Sequence, residues 1–250
     1  MRGYLWSSNA NVVRVEDGGE SPSVCRVNDV PTAHRNAVVM TDVVAMTGGF
    51  PALAGIDIQV AEGEIVLLAG PNGAGKTTVL RVCAGIQPIA RGSVSVLGFD
   101  LRTDLAHIRS NVGFVGHRNG LYEDLTPAEN LDFWAKVIGA SPDEVDAAID
   151  VMALNARVRE TPVSRLSAGQ RRRVALAVLV IRRARLWLLD EPHAGLDASG
   201  RDELDGILRR AAASGATVVL ASHELERATA LATRRITISG GVIDGGDRNA

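Results

Sequence analysis

The stretch Gly70-Pro71-Asn72-Gly73-Ala74-Gly75-Lys76-Thr77 decides the fold of this chain. It fits the pattern G-x-x-x-x-G-K-[ST], in which glycines let backbone N–H groups wrap around phosphate oxygens. A strand predicted at residues 65–69 precedes it. A helix predicted at residues 76–84 follows it and adds the positive end of its dipole. The stretch therefore predicts a phosphate-binding loop in an α/β protein, and by itself it leaves kinases and GTPases open.

The loop also predicts a cofactor and the contacts that hold it. We expect ATP with Mg²⁺, the amine of Lys76 reaching the β and γ phosphates and the hydroxyl of Thr77 ligating the metal ion. The expected nucleotide contacts in the loop are Gly70, Pro71, Asn72, Gly73, Ala74, Gly75, Lys76, Thr77 and Thr78.

An apolar strand that ends in two carboxylates supplies the second half of the predicted site. Residues 186–189 read Leu-Trp-Leu-Leu and are followed by Asp190 and Glu191. Such strands end at the phosphate-binding edge of a doubly wound sheet. We expect Asp190 to hold Mg²⁺ and Glu191 to act as general base on the attacking water. The alternative, a solvated acidic turn, is disfavoured by the phosphate loop in the same chain.

Composition limits the classes of protein that the chain can belong to. Its 250 residues are 46% hydrophobic and 22% charged, which is ordinary for a globular protein, and the net charge of -2 predicts no nucleic-acid partner. The longest plainly apolar run, residues 174–181, is far shorter than the roughly 20 residues of a membrane helix. Cys25 and Cys83 fit no metal or disulfide pattern. Taken with the composition, this favours a cytosolic protein, and we expect no signal peptide.

Apolar runs alternate with helical patterns along the chain. Strands are predicted at residues 38–44, 56–60, 64–69, 92–97, 112–115, 186–189, 217–221 and 236–238. Helices are predicted at residues 76–84, 167–181, 201–213 and 224–232, with two more starting after the caps Thr126 and Ser141. The predicted fold is α/β: a nucleotide-binding core with a mostly parallel sheet, an antiparallel β subdomain and an inserted helical subdomain.

The same reading divides the chain into three parts. Residues 1–36 are polar and aperiodic, and we interpret them as a flexible extension, with a misassigned start codon as a second possibility. Residues 37–240 form the ATPase domain, with the helical subdomain at about 117–181. Residues 241–250 form a C-terminal tail.

Five motifs in order resemble one family. Leu166-Ser167-Ala168-Gly169-Gln170 opens a helix about 20 residues before the acidic strand. Alone it is an ordinary capped helix. Together with the phosphate loop, residues 186–192, the Gly195-Leu196-Asp197 loop and His223, it resembles the nucleotide-binding domain of ABC ATPases over residues 38–240.

The resemblance implies a composite site between two such domains that meet head to tail, here as a homodimer. One copy offers the phosphate loop, Asp190 and Glu191, and the other offers Ser167, Gly169 and Gln170. The resemblance also implies that His223 contacts the γ-phosphate and helps to hold the water. Asp197 would communicate across the dimer. His223 alone could equally be a surface residue that caps a helix.

Two positions depart from the family pattern. His117 stands where the family places a metal-binding Gln, and it could accept from a metal-bound water or ligate the metal, or else merely pack at the subdomain boundary. Thr47 stands where the family places an aromatic residue under adenine, with Phe50 nearby. We therefore expect weak discrimination between nucleobases.

With these two departures, the sequence resembles one subfamily, the haem-exporter ATPase of the cytochrome c maturation system. The resemblance lies in residues 116–121, 125–131, 167–170, 172–177 and 186–192. It implies an ATP-hydrolysing subunit bound to transmembrane permease subunits at the cytoplasmic face of the membrane, and transport that could be haem export. The alternatives are the ATPase of another ABC exporter and a soluble ABC ATPase of translation or DNA repair. The latter usually has paired domains, coiled coils or zinc-binding cysteines.

Overall fold

The structure is a computed structural model that describes residues 35–116, 119–244 and 248–249. The strands are β1 (Asn36–Thr47), β2 (Phe50–Ala61), β3 (Ile65–Ala69), β4 (Arg91–Val96), β5 (Phe99–Asp100), β6 (Val112–Val115), β7 (Leu186–Asp190), β8 (Thr217–Ala221), β9 (Arg234–Ser239), β10 (Val242–Ile243) and β11 (Arg248–Asn249). The helices are α1 (Lys76–Cys83), α2 (Leu105–Asn111), α3 (Pro127–Ile138), α4 (Pro142–Val151), α5 (Ala156–Arg159), α6 (Ala168–Ile181), α7 (Ala198–Ala213) and α8 (Leu225–Leu231), with a 3-10 helix at Val163–Arg165. Residues 1–34, which make up most of the predicted extension, lie outside the described residues, and so does His117.

The larger sheet has seven strands and is mostly parallel. Its order is β10-β9-β3-β8-β7-β6, with β11 also paired to β9. Strands β6, β7, β8, β3 and β9 pair in parallel, and β10 and β11 pair antiparallel to β9. Every residue of β3 and β8 is buried, as expected for strands covered on both faces. Strand β10 lies within residues 241–250, the segment interpreted as a tail.

The smaller sheet is antiparallel, in the order β2-β1-β4-β5. Its first two strands are longer than the predicted runs 38–44 and 56–60. The reason is a bulge: the register shifts between Met40 and Val43, and Asp42 adopts a positive φ of 48°. A bulge interrupts the two-residue alternation from which strands are recognised. With both sheets in place, the predicted fold class is confirmed.

Helices α3 to α6 lie between β6 and β7 in the chain. Thr126 and Ser141 each form a complete capping box with a proline in the first turn, as predicted. Helix α7 begins three residues before the predicted start, because Asp197 accepts the N–H of Gly200 and caps it. No helix of the described residues is long and apolar enough to cross a membrane.

The phosphate loop is held between the two sheets. A Cβ added at Gly75 would lie 2.7 Å from the carbonyl oxygen of Ala52 in β2. A Cβ added at Gly70 would lie 2.0 Å from the carbonyl oxygen of Ile238 in β9. Both glycines have positive φ, 111° and 141°, which other residues rarely adopt. Packing and backbone conformation therefore both require glycine at the two ends of the loop.

Candidate active site

The phosphate loop lies in a cleft of about 520 Å³. The cleft is lined by residues of the loop, of β2 and of the end of β7: Thr47, Phe50, Pro51, Ala52, Asn72, Gly73, Ala74, Gly75, Lys76, Thr77, Thr78, Asp190 and Glu191. The sequence placed the loop and the acidic pair in one site, and the structure brings them into one cleft.

Lys76 lies at the first turn of α1, and its side chain folds back over the loop. Its Nζ donates to the carbonyl oxygens of Gly70 at 2.7 Å and Pro71 at 2.9 Å. The residue is buried, so these carbonyl dipoles replace the water that a buried ammonium group needs. The amine is thus already directed at the loop whose backbone is expected to hold the phosphates.

Thr77 and Asp190 meet at the floor of the cleft. The Thr77 hydroxyl lies 3.1 Å and 3.0 Å from the two carboxylate oxygens of Asp190, which places oxygen donors from α1 and β7 side by side. Hard cations such as Mg²⁺ prefer oxygen ligands and often take only one or two from protein. No cluster of three or more His, Cys, Asp or Glu suited to a metal occurs in the described ranges. The Thr77–Asp190 pair thus fits an ion that phosphate and water also ligate.

Glu191 lines the cleft and is paired with His223, which is not among the described residues that line it. The Nδ1 atom of His223 lies 2.7 Å from Oε2 of Glu191, and the backbone N–H of His223 donates to the same oxygen at 3.2 Å. Glu191 has a φ of 51°, a conformation that costs energy for a residue with a Cβ and that is often found at functional sites. Its backbone N–H still donates to Ala221 O at 2.9 Å, continuing the β7–β8 pairing.

Arg172, in the first turns of α6, is buried beside these acids. It donates to Gly116 O at 3.2 Å and to Glu191 O at 3.4 Å, so it connects the ends of β6 and β7. Burial lowers the pKa of its guanidinium, and the charge of Asp190 opposes that shift. The sequence shows only a run of three arginines, and nothing in it distinguishes this one as buried.

Thr47 and Phe50 lie at the other end of the cleft. The Thr47 hydroxyl accepts from the side chain of Gln87 at 3.0 Å. Phe50 is 78% exposed, although it is a large apolar side chain. Thr47 and Phe50 thus line the same cleft as the phosphate loop, and an aromatic face is available there.

The loop at residues 166–170, called the signature loop below, lies outside this cleft. Ser167 caps α6 by a capping box with Gln170, and no residue of 166–170 is among the described residues that line the cleft. A Cβ added at Gly169 would lie 3.5 Å from Leu196, and one at Gly195 would lie 3.5 Å from Ala168. The signature loop thus packs on the loop that ends at Asp197 and, among the described residues, does not line the cleft of its own phosphate loop.

Comparison with known proteins identifies the class. A family profile described as "ABC transporter" matches residues 53–194, more than half of the chain. The chain therefore belongs to the ABC transporter family, as an ATP-binding subunit with the site of an ATP hydrolase.

Its curated relatives are more specific. A cytochrome c biogenesis ATP-binding export protein, CcmA, of Bradyrhizobium diazoefficiens is 36% identical over 198 residues, covering 79% of this chain and 96% of that protein. The protein of the same name from Bordetella bronchiseptica is 42% identical over 170 residues, covering 67% and 75%. The resemblance to this subfamily, inferred from the sequence, is confirmed.

Solved structures agree on the fold. A dimeric ATP-binding cassette in a post-hydrolysis state with ADP and Pi has a TM-score of 0.75 at 24% identity, covering 85% of this chain and 98% of that one. A bacterial Atm1-family ABC exporter with ATP bound has a TM-score of 0.74 at 25% identity, covering 84% of this chain and 38% of that one.

Proposed function

We propose that two copies of this chain hydrolyse ATP at their shared interface and thereby drive an export step of cytochrome c biogenesis. The observation that carries the proposal is the pair of adjacent acids at the end of β7. Asp190 accepts a hydrogen bond from Thr77 of the phosphate loop, and Glu191 accepts the backbone N–H of His223 and lies 2.7 Å from its Nδ1. The two carboxylates therefore have different partners and can perform different tasks in one cleft.

Glu191 is the general base in this mechanism. Its carboxylate takes a proton from the attacking water, while His223 orients the carboxylate and, as the family resemblance implies, would contact the γ-phosphate. Lys76 transfers its hydrogen bonds from the carbonyls of Gly70 and Pro71 to the phosphate oxygens when ATP binds. Its charge then stabilises the negative charge that develops on the transferred phosphoryl group.

Thr77 and Asp190 would hold Mg²⁺. The ion would neutralise charge on the β and γ phosphates, which is the usual role of the metal in phosphoryl transfer. His117, placed by resemblance at the usual metal-binding Gln, remains a proposed further ligand of the metal or of its water.

The second copy completes the site. Helix α6 begins with Ser167 at its cap and Gly169 in its first turn. Neither residue is among the described residues that line the cleft of the same chain. A helix N-terminus binds anions readily, so the partner's signature loop can face the γ-phosphate. Gln170 fixes the cap, and Asp197, beside the signature loop, would transmit the state of one site to the other.

The expected membrane partner is a permease at the cytoplasmic face. An apolar patch on and beside α3 supports this, since exposed contiguous apolar surface marks interaction sites. The patch consists of Tyr122, Phe133, Val137 and Ile138, each between 39% and 59% exposed. Tyr122 and Phe133 stack edge to face with ring centroids 5.3 Å apart. The cargo expected from the subfamily resemblance is haem.

Two experiments test this function. Deletion of the gene should abolish holo c-type cytochromes, with restoration by the wild-type chain and not by Glu191→Gln. Co-purification should recover the chain with permease subunits, and Phe133→Asp should weaken that association without changing folding. A deletion strain that still matures c-type cytochromes would instead indicate another ABC exporter or a soluble ABC ATPase.

A further inference from the structure

A buried histidine lies two residues beyond the general base. His193 is 1% exposed, and its Nε2 lies 2.8 Å from Oδ1 of Asp205 in α7. The other carboxylate oxygen of Asp205 accepts from Arg227 in α8 at 2.7 Å, and the same Arg227 nitrogen also donates to Asp202 at 2.8 Å. The hydrogen bonds that Arg227 donates, first to Asp202 and then to Asp205, raise the pKa of its guanidinium above its ordinary value. One polar chain thus connects the loop after β7 to two helices.

This chain of contacts returns to the catalytic pair. Helix α8 begins at Leu225, directly after His223 and Glu224. His223 in turn is hydrogen-bonded to Glu191, which is separated from His193 only by Pro192. The contacts therefore form a closed circuit. The backbone leads from Glu191 to His193, and hydrogen bonds lead from there to Asp205 and Arg227. The backbone of α8 leads back to His223, which is hydrogen-bonded to Glu191.

The charges in this circuit determine which ring nitrogen of His193 carries the proton. An ionised carboxylate only accepts hydrogen bonds, and Asp205 is paired with the cation Arg227, so Nε2 of His193 donates to it. The Nδ1 atom of His193 is buried without a hydrogen-bond partner in the part of the chain that the structure describes. A buried polar atom without a partner is unfavourable for stability, so the hydrogen bond from Nε2 to Asp205 is what holds the ring in place.

We propose that His193 is a positioning residue for ATP hydrolysis, which holds the Glu191 carboxylate and His223 in register through Asp205 and Arg227. The proposal rests on the function of Glu191 as general base. Glu191 lies in a left-handed backbone conformation, which persists only where the surrounding structure holds it. His193 supplies such a restraint at one end of the Glu191–Pro192 segment, and the β7–β8 pairing supplies it at the other.

Matched variants test this with the full-length chain. His193→Gln places an amide N–H near the position of Nε2 and can still donate to Asp205, whereas His193→Asn is too short to reach it. We expect His193→Asn to lower kcat for ATP about ten-fold, equivalent to about 1.4 kcal/mol in the barrier, and to change KM less than two-fold. His193→Gln should recover most of the loss. Asp202→Asn is the control, because it removes a contact of Arg227 and leaves the Asp205–His193 bond in place.

A double-mutant cycle identifies the route of the effect. If His193 acts through the Glu191–His223 pair, His193→Asn should cause little further loss of kcat in a His223→Ala background. Losses that multiply independently, or equal rates for the Asn and Gln variants, would overturn the proposal. A loss that only follows a lowered Tm would do so as well. Turnover of the wild-type chain and its loss in Glu191→Gln test the proposed function separately, so the two failures can be distinguished.

Discussion

One oxygen of Glu191 accepts the backbone N–H of His223 at 3.2 Å and lies 2.7 Å from Nδ1 of the same residue. The backbone hydrogen bond survives any substitution of the side chain, whereas the contact with the ring does not. Truncation of His223 should therefore leave the carboxylate near its position but without the ring that lies against it. The two members of the pair are thus expected to differ in how severely their loss affects turnover.

Glu191→Gln should lower kcat at least ~100-fold, since general-base catalysis typically contributes a factor of about 10² to 10⁴. ATP binding should persist, because the phosphate loop is unchanged, and the closed dimer should accumulate with ATP. Phosphate release and size-exclusion chromatography with ATP measure the two effects. Undiminished turnover would exclude Glu191 as the base.

His223→Ala should cause a smaller loss than Glu191→Gln, with KM for ATP changed only modestly. His107→Ala is the matched control, because His107 is exposed, stacks on Phe99 and lies outside the cleft. Steady-state ATPase assays of both variants check this. Equal rates for the two alanine variants would remove His223 from the mechanism.

Thr77→Val should raise the Mg²⁺ concentration needed for half-maximal ATPase activity, because it removes the hydroxyl that lies 3.0 Å from Asp190 and keeps the side-chain volume. Thr77→Ser restores a hydroxyl and should restore most of the Mg²⁺ response. The measurement is a Mg²⁺ titration at fixed ATP. A titration curve that is the same for valine and threonine would argue against Thr77 as a ligand.

Phe50→Ala should weaken ATP and GTP binding by similar factors. Aromatic faces stack on any base, and such stacking is worth about 1 kcal/mol or more, or roughly five-fold in affinity. Thr47 is already bonded to Gln87, so it offers no obvious means to select a base. Competition between the two nucleotides in a binding assay checks the expectation. GTP that competes poorly against wild type would contradict weak base discrimination.

Cys83 should resist alkylation in the folded protein. Burial raises the pKa of its thiol from 9.0 to about 12, so almost no thiolate forms at pH 8. Above pH 9 the unfolded chain loses this proton while the folded chain keeps it, so stability conferred by this group falls as pH rises towards 12. In a Cys25→Ser background, iodoacetamide should label the chain only at the rate of unfolding. Fast labelling under native conditions would show that the thiol is accessible.

Local rules predicted the cleft well and the network around it poorly. The phosphate loop, the acidic pair and the capping boxes at Thr126 and Ser141 depend on neighbours in sequence, so patterns of a few residues reveal them. Arg172 and His193 contact partners far along the chain. The sequence around a single polar residue beside an apolar run does not indicate that the residue is buried. The position of His193 between the acidic pair and Gly195 is the one signal that could have drawn attention to it.

The glycines that hold the phosphate loop between two sheets also limit how the gene can change. Asn72 is exposed, and a side chain at Gly73 would meet no atom within 4 Å, so a change there meets no steric clash and would cost the strain of the positive φ at Gly73 and any loss of nucleotide contacts. At Gly70 and Gly75 even a methyl group would collide with a strand, whatever nucleotide is bound. Selection at those two codons therefore acts first on whether the chain folds, and only then on whether it hydrolyses ATP.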